Sequence, residues 1–242
     1  MNALRAELRK ASTLPAVWAG LAVTLFGSVA ITALNAGHAT GSAFDTAFAS
    51  MPLGTVGAVV IGVVAFSSEY TANNADAGGG RQIITTLTVT PRRVQVLATK
   101  IVAIVLLIVA SAAVTLPVTT GVAHLLVDTT APATNIVERS LGGTLYWVLS
   151  GLLGFAITII LRNGVIPLIV LIVNSSLVSV SLLLSKLTPL AQYLPDMAGR
   201  RLFGGVRTVE GGLDAVPGGL VMTAWAVLFC IAAGFVFIRR DA

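Results

Sequence analysis

IVAIVLLIVASAAVTLPV, residues 101–118, contains no charged side chain. With its N-terminal neighbours it forms the run Val96–Val118, and at 1.5 Å per residue a helix of that length crosses about 30 Å of hydrocarbon. The run lacks the strict two-residue alternation of a barrel strand. In lipid, where a segment must satisfy its own backbone, it therefore reads as a helix.

Five further runs have the same character: Ala16–Leu34, Leu53–Ser68, Gly142–Leu161, Val165–Ser185 and Gly219–Ile238. The chain of 242 residues is 56% hydrophobic and only 10% charged, with a mean hydropathy of +0.93. Soluble domains carry about 25% charged residues, so the deficit points to a lipid environment. The expected fold class is an all-α integral membrane protein of six transmembrane helices, one domain over 1–242. Gly, Ala, Val and Thr fill the runs; such small side chains suit close helix approach in a membrane. No internal repeat and no low-complexity tail interrupts this plan.

The 15 Lys and Arg residues set the orientation. With a cytoplasmic N-terminus, ten fall inside: Arg5, Arg9, Lys10, Arg81, Arg92, Arg93, Lys100, Arg162, Arg239 and Arg240. Five fall outside: Arg139, Lys186, Arg200, Arg201 and Arg207. The excess obeys the positive-inside rule and places both termini in the cytoplasm. The net charge of +5 thus marks topology and does not indicate a nucleic-acid partner. A cleavable signal ending near Ala33-Leu34-Asn35-Ala36 is the competing reading of the N-terminus; the first apolar run is long for one.

Residues 1–14 read as an amphipathic helix lying in the interface, with Leu4, Leu8 and Ala11 on one face and Arg5, Arg9 and Lys10 elsewhere. Thr13 before Pro15 is positioned to cap the first span. Between spans two and three, residues 69–95 exceed what a tight turn needs, which suggests a docking element. There Ala77-Gly78-Gly79-Gly80 breaks the chain, Arg81 to Val89 predicts a short helix with Ile83, Ile84 and Leu87 on one edge, and Thr90-Pro91 restarts a helix carrying Arg92 and Arg93. Lys100, two turns past Arg93, is expected to snorkel to the cytoplasmic surface, and Glu69 to pair with one of these cations. The outer segment 186–218 holds Pro189, Pro195 and Pro217 among apolar residues such as Met197 and Phe203. It predicts short helices packed at, or dipping into, the outer leaflet.

Several chemistries are disfavoured. No G-x-x-x-x-G-K-[ST] is present, so a phosphate-cradling ATPase would be another chain. The single cysteine, Cys230, lies in the last run and reads as a core residue; His38 and His124 sit near outer helix ends without metal-ligand spacing. No Asp or Glu lies well inside a predicted span, which argues against ion coupling. Span five is polar, however: Asn174, Ser175, Ser179, Ser181 and Ser185 are placed to line a translocation path or to glue neighbouring helices, and the two uses are compatible.

These residues together resemble one family, the membrane permease subunits of ABC exporters of the ABC-2 type. The signs are Glu7-Leu8-Arg9-Lys10, then Ser68-Glu69-Tyr70, Arg81, Thr85-Thr86-Leu87, Pro91-Arg92-Arg93 and Lys100. Further on come Tyr193-Leu194-Pro195, Ala198-Gly199, Pro217-Gly218 with Trp225, and Arg239-Arg240-Asp241-Ala242. The segment Thr71 to Gly80 is longer than is usual for that family. The resemblance implies a bacterial plasma-membrane subunit with a cytoplasmic coupling helix between spans two and three. Its implied partners are two copies of a cytoplasmic ABC ATPase and a second, identical or related permease chain, with membrane lipid around them. ATP and Mg would be held on the ATPase, with no cofactor on this chain, which is then a transporter subunit and not itself an enzyme. It implies ATPase coupling through Glu69, Tyr70, Arg81, Ile83, Ile84, Thr85, Thr86, Leu87, Pro91, Arg92, Arg93 and Lys100, and export of an amphipathic or hydrophobic drug, antimicrobial peptide or lipid-like molecule. The rival expectations are an intramembrane hydrolase using Ser150 and a non-transporting scaffold or immunity protein.

Overall fold

The structure, a computed structural model, describes residues 2–39, 41–70, 92–128, 134–175, 180–204 and 213–239. Among them the chain is helical and has no strand. Helix α1 (Asn2–Thr13) precedes α2 (Pro15–Ala36), which contains a π-helical turn at Val23–Gly27. Then follow α3 (Ala43–Phe48), α4 (Met51–Tyr70), α5 (Arg93–Leu126) and α6 (Ile136–Leu161). The last elements are α7 (Val165–Ser175), α8 (Val180–Ser185), α9 (Pro195–Arg200) and α10 (Ala215–Arg239).

Five helical stretches are long and apolar enough to cross a membrane: Pro15–Ala36, Ala43–Glu69, Arg93–Leu126, Ile136–Leu161 and Ala215–Arg239. Each extends beyond the run read from sequence, because hydropathy marks the greasy part of a helix and not its hydrogen-bonded ends. The run expected at 165–185 is different. It falls on α7, 11 residues long, and on the short α8, with 176–179 outside the described residues. At about 1.5 Å per residue, α7 alone covers only about half a bilayer.

Side-chain distribution inverts that of a soluble bundle. On α2 the residues turned inward are Val17, Gly20, Thr24, Ser28 and Thr32, three or four apart, whereas Trp18, Phe26 and Leu34 are 59%, 69% and 70% exposed. Large apolar residues outside and hydroxyls inside are stable only where hydrocarbon is the solvent. The two threonine hydroxyls are satisfied locally, Thr24 donating to Gly20 O at 3.0 Å and Thr32 to Ser28 O at 2.8 Å, whereas the Ser28 hydroxyl meets no partner among the described residues.

Helices α4 and α6 form the centre, and α2, α5 and α10 pack around them. Small residues let them meet. A Cβ on Gly62 would stand 1.9 Å from the Gly151 carbonyl oxygen of α6, and one on Gly57 would stand 2.2 Å from Gly20 O of α2. Trp147 fills the space above Gly54 and donates its indole N–H to Met51 O at 3.1 Å. Because helix association in lipid rests on such contact, Gly62→Ala should force α4 from α6 and cost about 1–3 kcal/mol. Gly234→Ala, whose Cβ would meet only Leu97 at 3.6 Å, is expected to be near neutral. Paired melting curves in detergent would check this; equal midpoints would refute the close-contact account.

The end of the bundle opposite α1 is tied by polar contacts. Ser42 caps α3 in a capping box with Asp45, whose carboxylate accepts from Arg139 at 2.6 Å. The Arg139 guanidinium also donates to Phe203 O and lies over the Phe44 and Phe48 rings. The segment before α10 is well packed: Met197, Ala198 and Phe203 are buried, and a Cβ on Gly199 would strike Met222 and Tyr146. Tyr146 and Met222 lie ten and seven residues inside α6 and α10. Helix α9 therefore packs alongside about the first 5–15 Å of those helices, with Ala198 O against Gly218 near the start of α10.

Candidate coupling site

Helix α1 carries Glu7 and Lys10 one turn apart, so both side chains share a face. Leu4, Leu8 and Ala11 are half-buried, while Arg5 and Arg9 are exposed. The helix closes when the Ser12 and Thr13 hydroxyls donate to Arg9 O and Lys10 O. Thr13 thus finishes α1 and does not cap α2. Leu14 holds the N-cap position with no side-chain cap, and Pro15 supplies the pre-set φ of the first turn.

On that face Glu7 and Lys10 meet the last turn of α4 and the second turn of α5. Lys100 Nζ donates to Glu69 Oε1 at 2.6 Å, to Glu7 Oε2 at 2.8 Å and to Ala65 O at 3.4 Å. An ammonium has three protons, and these three acceptors use them all. Lys10 Nζ donates to the same Glu69 oxygen. The side chains of Glu69 and Lys100 are 0% and 1% exposed, those of Glu7 and Lys10 16% and 18%. Among the described residues, two carboxylates and two ammoniums make the cluster electrically balanced, the condition under which buried charge is tolerable.

The expected snorkelling of Lys100 is not what the structure shows: the side chain turns into the bundle, where two carboxylates replace the water it would otherwise seek. The Glu69 pair is likewise buried and not at the surface, so the small worth of exposed ion pairs does not apply to it. Glu7 and Lys10 were not legible as members; their shared face was the available signal. Arg93 turns elsewhere, its Nη1 donating to Phe237 O and Ile238 O at 3.0 and 3.1 Å, where it satisfies terminal carbonyls of α10. Arg92 is exposed at the N-cap of α5. Tyr70 closes α4. Arg81, Ile83, Ile84, Thr85, Thr86, Leu87 and Pro91 lie outside the described residues, as does Ser179.

Burial holds the Lys10 ammonium below the ordinary lysine value of 10.5, and the charge of Lys100 pushes the same way; Glu69 and Glu7 oppose them. Below 10.5 the unfolded chain then holds this proton more tightly than the folded one. The contribution of Lys10 to stability therefore rises as pH rises toward that value. Lys10→Met should cost less than about 1 kcal/mol near pH 8, because Lys10 is partly exposed and Lys100 still neutralises Glu69 in its absence. The advantage of wild type over the variant should widen by pH 10. A gap that narrows with pH would reverse the sign of this account.

The polar residues of span five are partly brought together. Asn174 Oδ1 accepts from the Ser181 amide and hydroxyl at 3.3 and 3.0 Å, and Arg200 of α9 donates to Asn174 O at 3.5 Å. The Asn174–Ser181 bonds join α7 to α8. Ser175 ends α7 and Ser185 ends α8. Asn174 also borders a cavity of about 30 Å³ with Thr55, Tyr146, Ser150 and Asp196. Asp196 is 8% exposed, and neither of its oxygens meets a hydrogen-bond donor among the described residues. It lies outside every apolar run, and the signal that it enters the bundle was the reading of 186–218 as helices dipping into the outer leaflet. Among the described residues no three His, Cys, Asp or Glu side chains gather as a metal-ligand set.

No protein-family model matches this chain, and no curated protein is similar to it. The fold and site define a multi-pass helical protein of membrane type, with a buried charge cluster where an N-terminal helix meets two long apolar ones.

Proposed function

We propose that this chain is the permease subunit of an ABC-2 type exporter, embedded in the bacterial plasma membrane with both termini cytoplasmic. Its spans would tilt between inward and outward access when two cytoplasmic ATPase subunits close. The observation that carries the reading is the ion cluster: Glu69 precedes the segment 71–91 and Lys100 follows it, and both are locked to Glu7 and Lys10 of α1. A push on 71–91 would reach α1, α4 and α5 as one unit, and a two-state change requires such a contact. In this reading Ile83, Ile84 and Leu87 seat in the ATPase, Arg93 ties α5 to α10, and a second permease chain completes the path. The cargo is amphipathic or hydrophobic.

Replacing Ile84 and Leu87 with Asp is expected to abolish co-purification of the ATPase and to lower permease-stimulated ATP hydrolysis at least tenfold. If both stay at wild-type level, the coupling assignment is wrong.

A further inference from the structure

An apolar groove of about 500 Å³ opens between α5, α6 and α10. Its walls include Leu97 and Ile101 of α5, Leu149 and Leu152 of α6, and Cys230 and Phe235 of α10. Along α10 it runs from Ile238 to Ala226, about 18 Å at the helical rise, which is close to the depth of one leaflet of hydrocarbon. It faces sideways: Val227 and Ile231 on its border are exposed on the flank that meets the bilayer. Gly234 keeps the groove open. Unlike Gly57 or Gly62 it has no backbone pressed against it, and its missing side chain leaves space instead of allowing helix contact.

The groove begins at a basic end. The bonds from Arg93 to Phe237 O and Ile238 O set the start of α5 beside the end of α10. Arg92 is exposed there, and Arg239 lies over the Phe235 ring of the groove wall at 5.9 Å. Hydrocarbon walls one leaflet deep with guanidinium groups at the mouth match an anionic amphiphile, its phosphate at the mouth and its tail within. A second copy of this chain would meet cations with cations at that end.

We propose that this groove binds one anionic phospholipid of the leaflet bordering Arg92 and Arg239, its acyl chain along α10 and its phosphate on those two side chains. The site does not depend on the transporter reading.

Native mass spectrometry of the full chain in detergent, titrated with phosphatidylglycerol or with phosphatidylcholine of the same chains, tests it. Wild type should bind one phosphatidylglycerol at least tenfold more tightly than phosphatidylcholine. Arg92→Gln with Arg239→Gln should erase that preference. Gly234→Trp should block both lipids, with its melting temperature as the control for folding. Should that variant fail to fold, maleimide labelling of Cys230 in wild type gives the same information: phosphatidylglycerol slows it severalfold and phosphatidylcholine does not. Equal affinity for the two lipids, or labelling that neither changes, overturns the proposal. Protection that grows with protein concentration in lipid-free micelles also overturns it, since the occupant would then be a second copy.

Discussion

Glu69→Leu is expected to destabilise the folded chain by about 3–5 kcal/mol, because it leaves two buried ammoniums facing each other without their shared acceptor. Lys10 and Lys100 both donate to one Glu69 oxygen, and Glu7 bonds Lys100 directly while acting on Lys10 through its charge alone. Two like charges then share one carboxylate in a region with little water to screen them. Lys100→Met should be nearly as harmful, since it removes the donor that joins both carboxylates. The informative variant is the double substitution, Glu69→Leu with Lys100→Met. It deletes a pair of opposite sign and leaves Glu7 and Lys10 one turn apart on α1, free to pair with each other. Most of the lost stability should return, giving a coupling energy of several kcal/mol in the double-mutant cycle. Under the transporter proposal, stimulation of the ATPase should not return with it, because the bond between α1, α4 and α5 is gone. If the double variant melts no higher than Glu69→Leu alone, the balanced-cluster account fails.

Composition carried the membrane architecture, because a run such as residues 101–118 has few alternatives once its length and lack of charge are known. Span five was the weak point, and for a physical reason. Asn174 and Ser181 interrupt its apolar surface, and each gives the backbone or the other a polar partner, so hydropathy alone does not say where one helix ends. The candidate site was half legible. Glu69 and Lys100 stand out as charges at the edges of greasy runs. What periodicity cannot supply is which faces meet: Glu7 and Lys100 are 93 positions apart, and nothing local in either segment encodes the other. Lys100 shows the same limit. A lysine near a helix end has two ways to satisfy its ammonium, reaching out to water or inward to a carboxylate, and only the packed arrangement selects between them.

Asp196 is the converse of Glu69 and should respond with the opposite sign. Both carboxylates are buried, at 8% and 0% exposure, but Glu69 accepts two charged hydrogen bonds whereas neither Asp196 oxygen meets a donor among the described residues. A buried acceptor without a hydrogen-bond partner carries a desolvation cost of about 3 kcal/mol for a charged group, offset in part here by the buried Arg200 guanidinium one turn along α9, which lies with Asp196 beside Tyr146. Asp196→Asn keeps the shape of the side chain, removes the charge, and offers an amide N–H₂ to the oxygens of Thr55, Ser150 and Asn174 that border the same cavity. The substitution is therefore expected to raise the melting temperature in detergent, by the equivalent of about 3 kcal/mol at most. Buried polar groups without a hydrogen-bond partner concentrate where they are used, and Asp196 borders the same cavity as Asn174 and Ser150. In the exporter reading, the more stable Asp196→Asn protein should move its cargo more slowly despite an unchanged ATPase complex. A variant that melts below wild type would show that the carboxylate already has a stabilising partner, and the contrast with Glu69 would be lost.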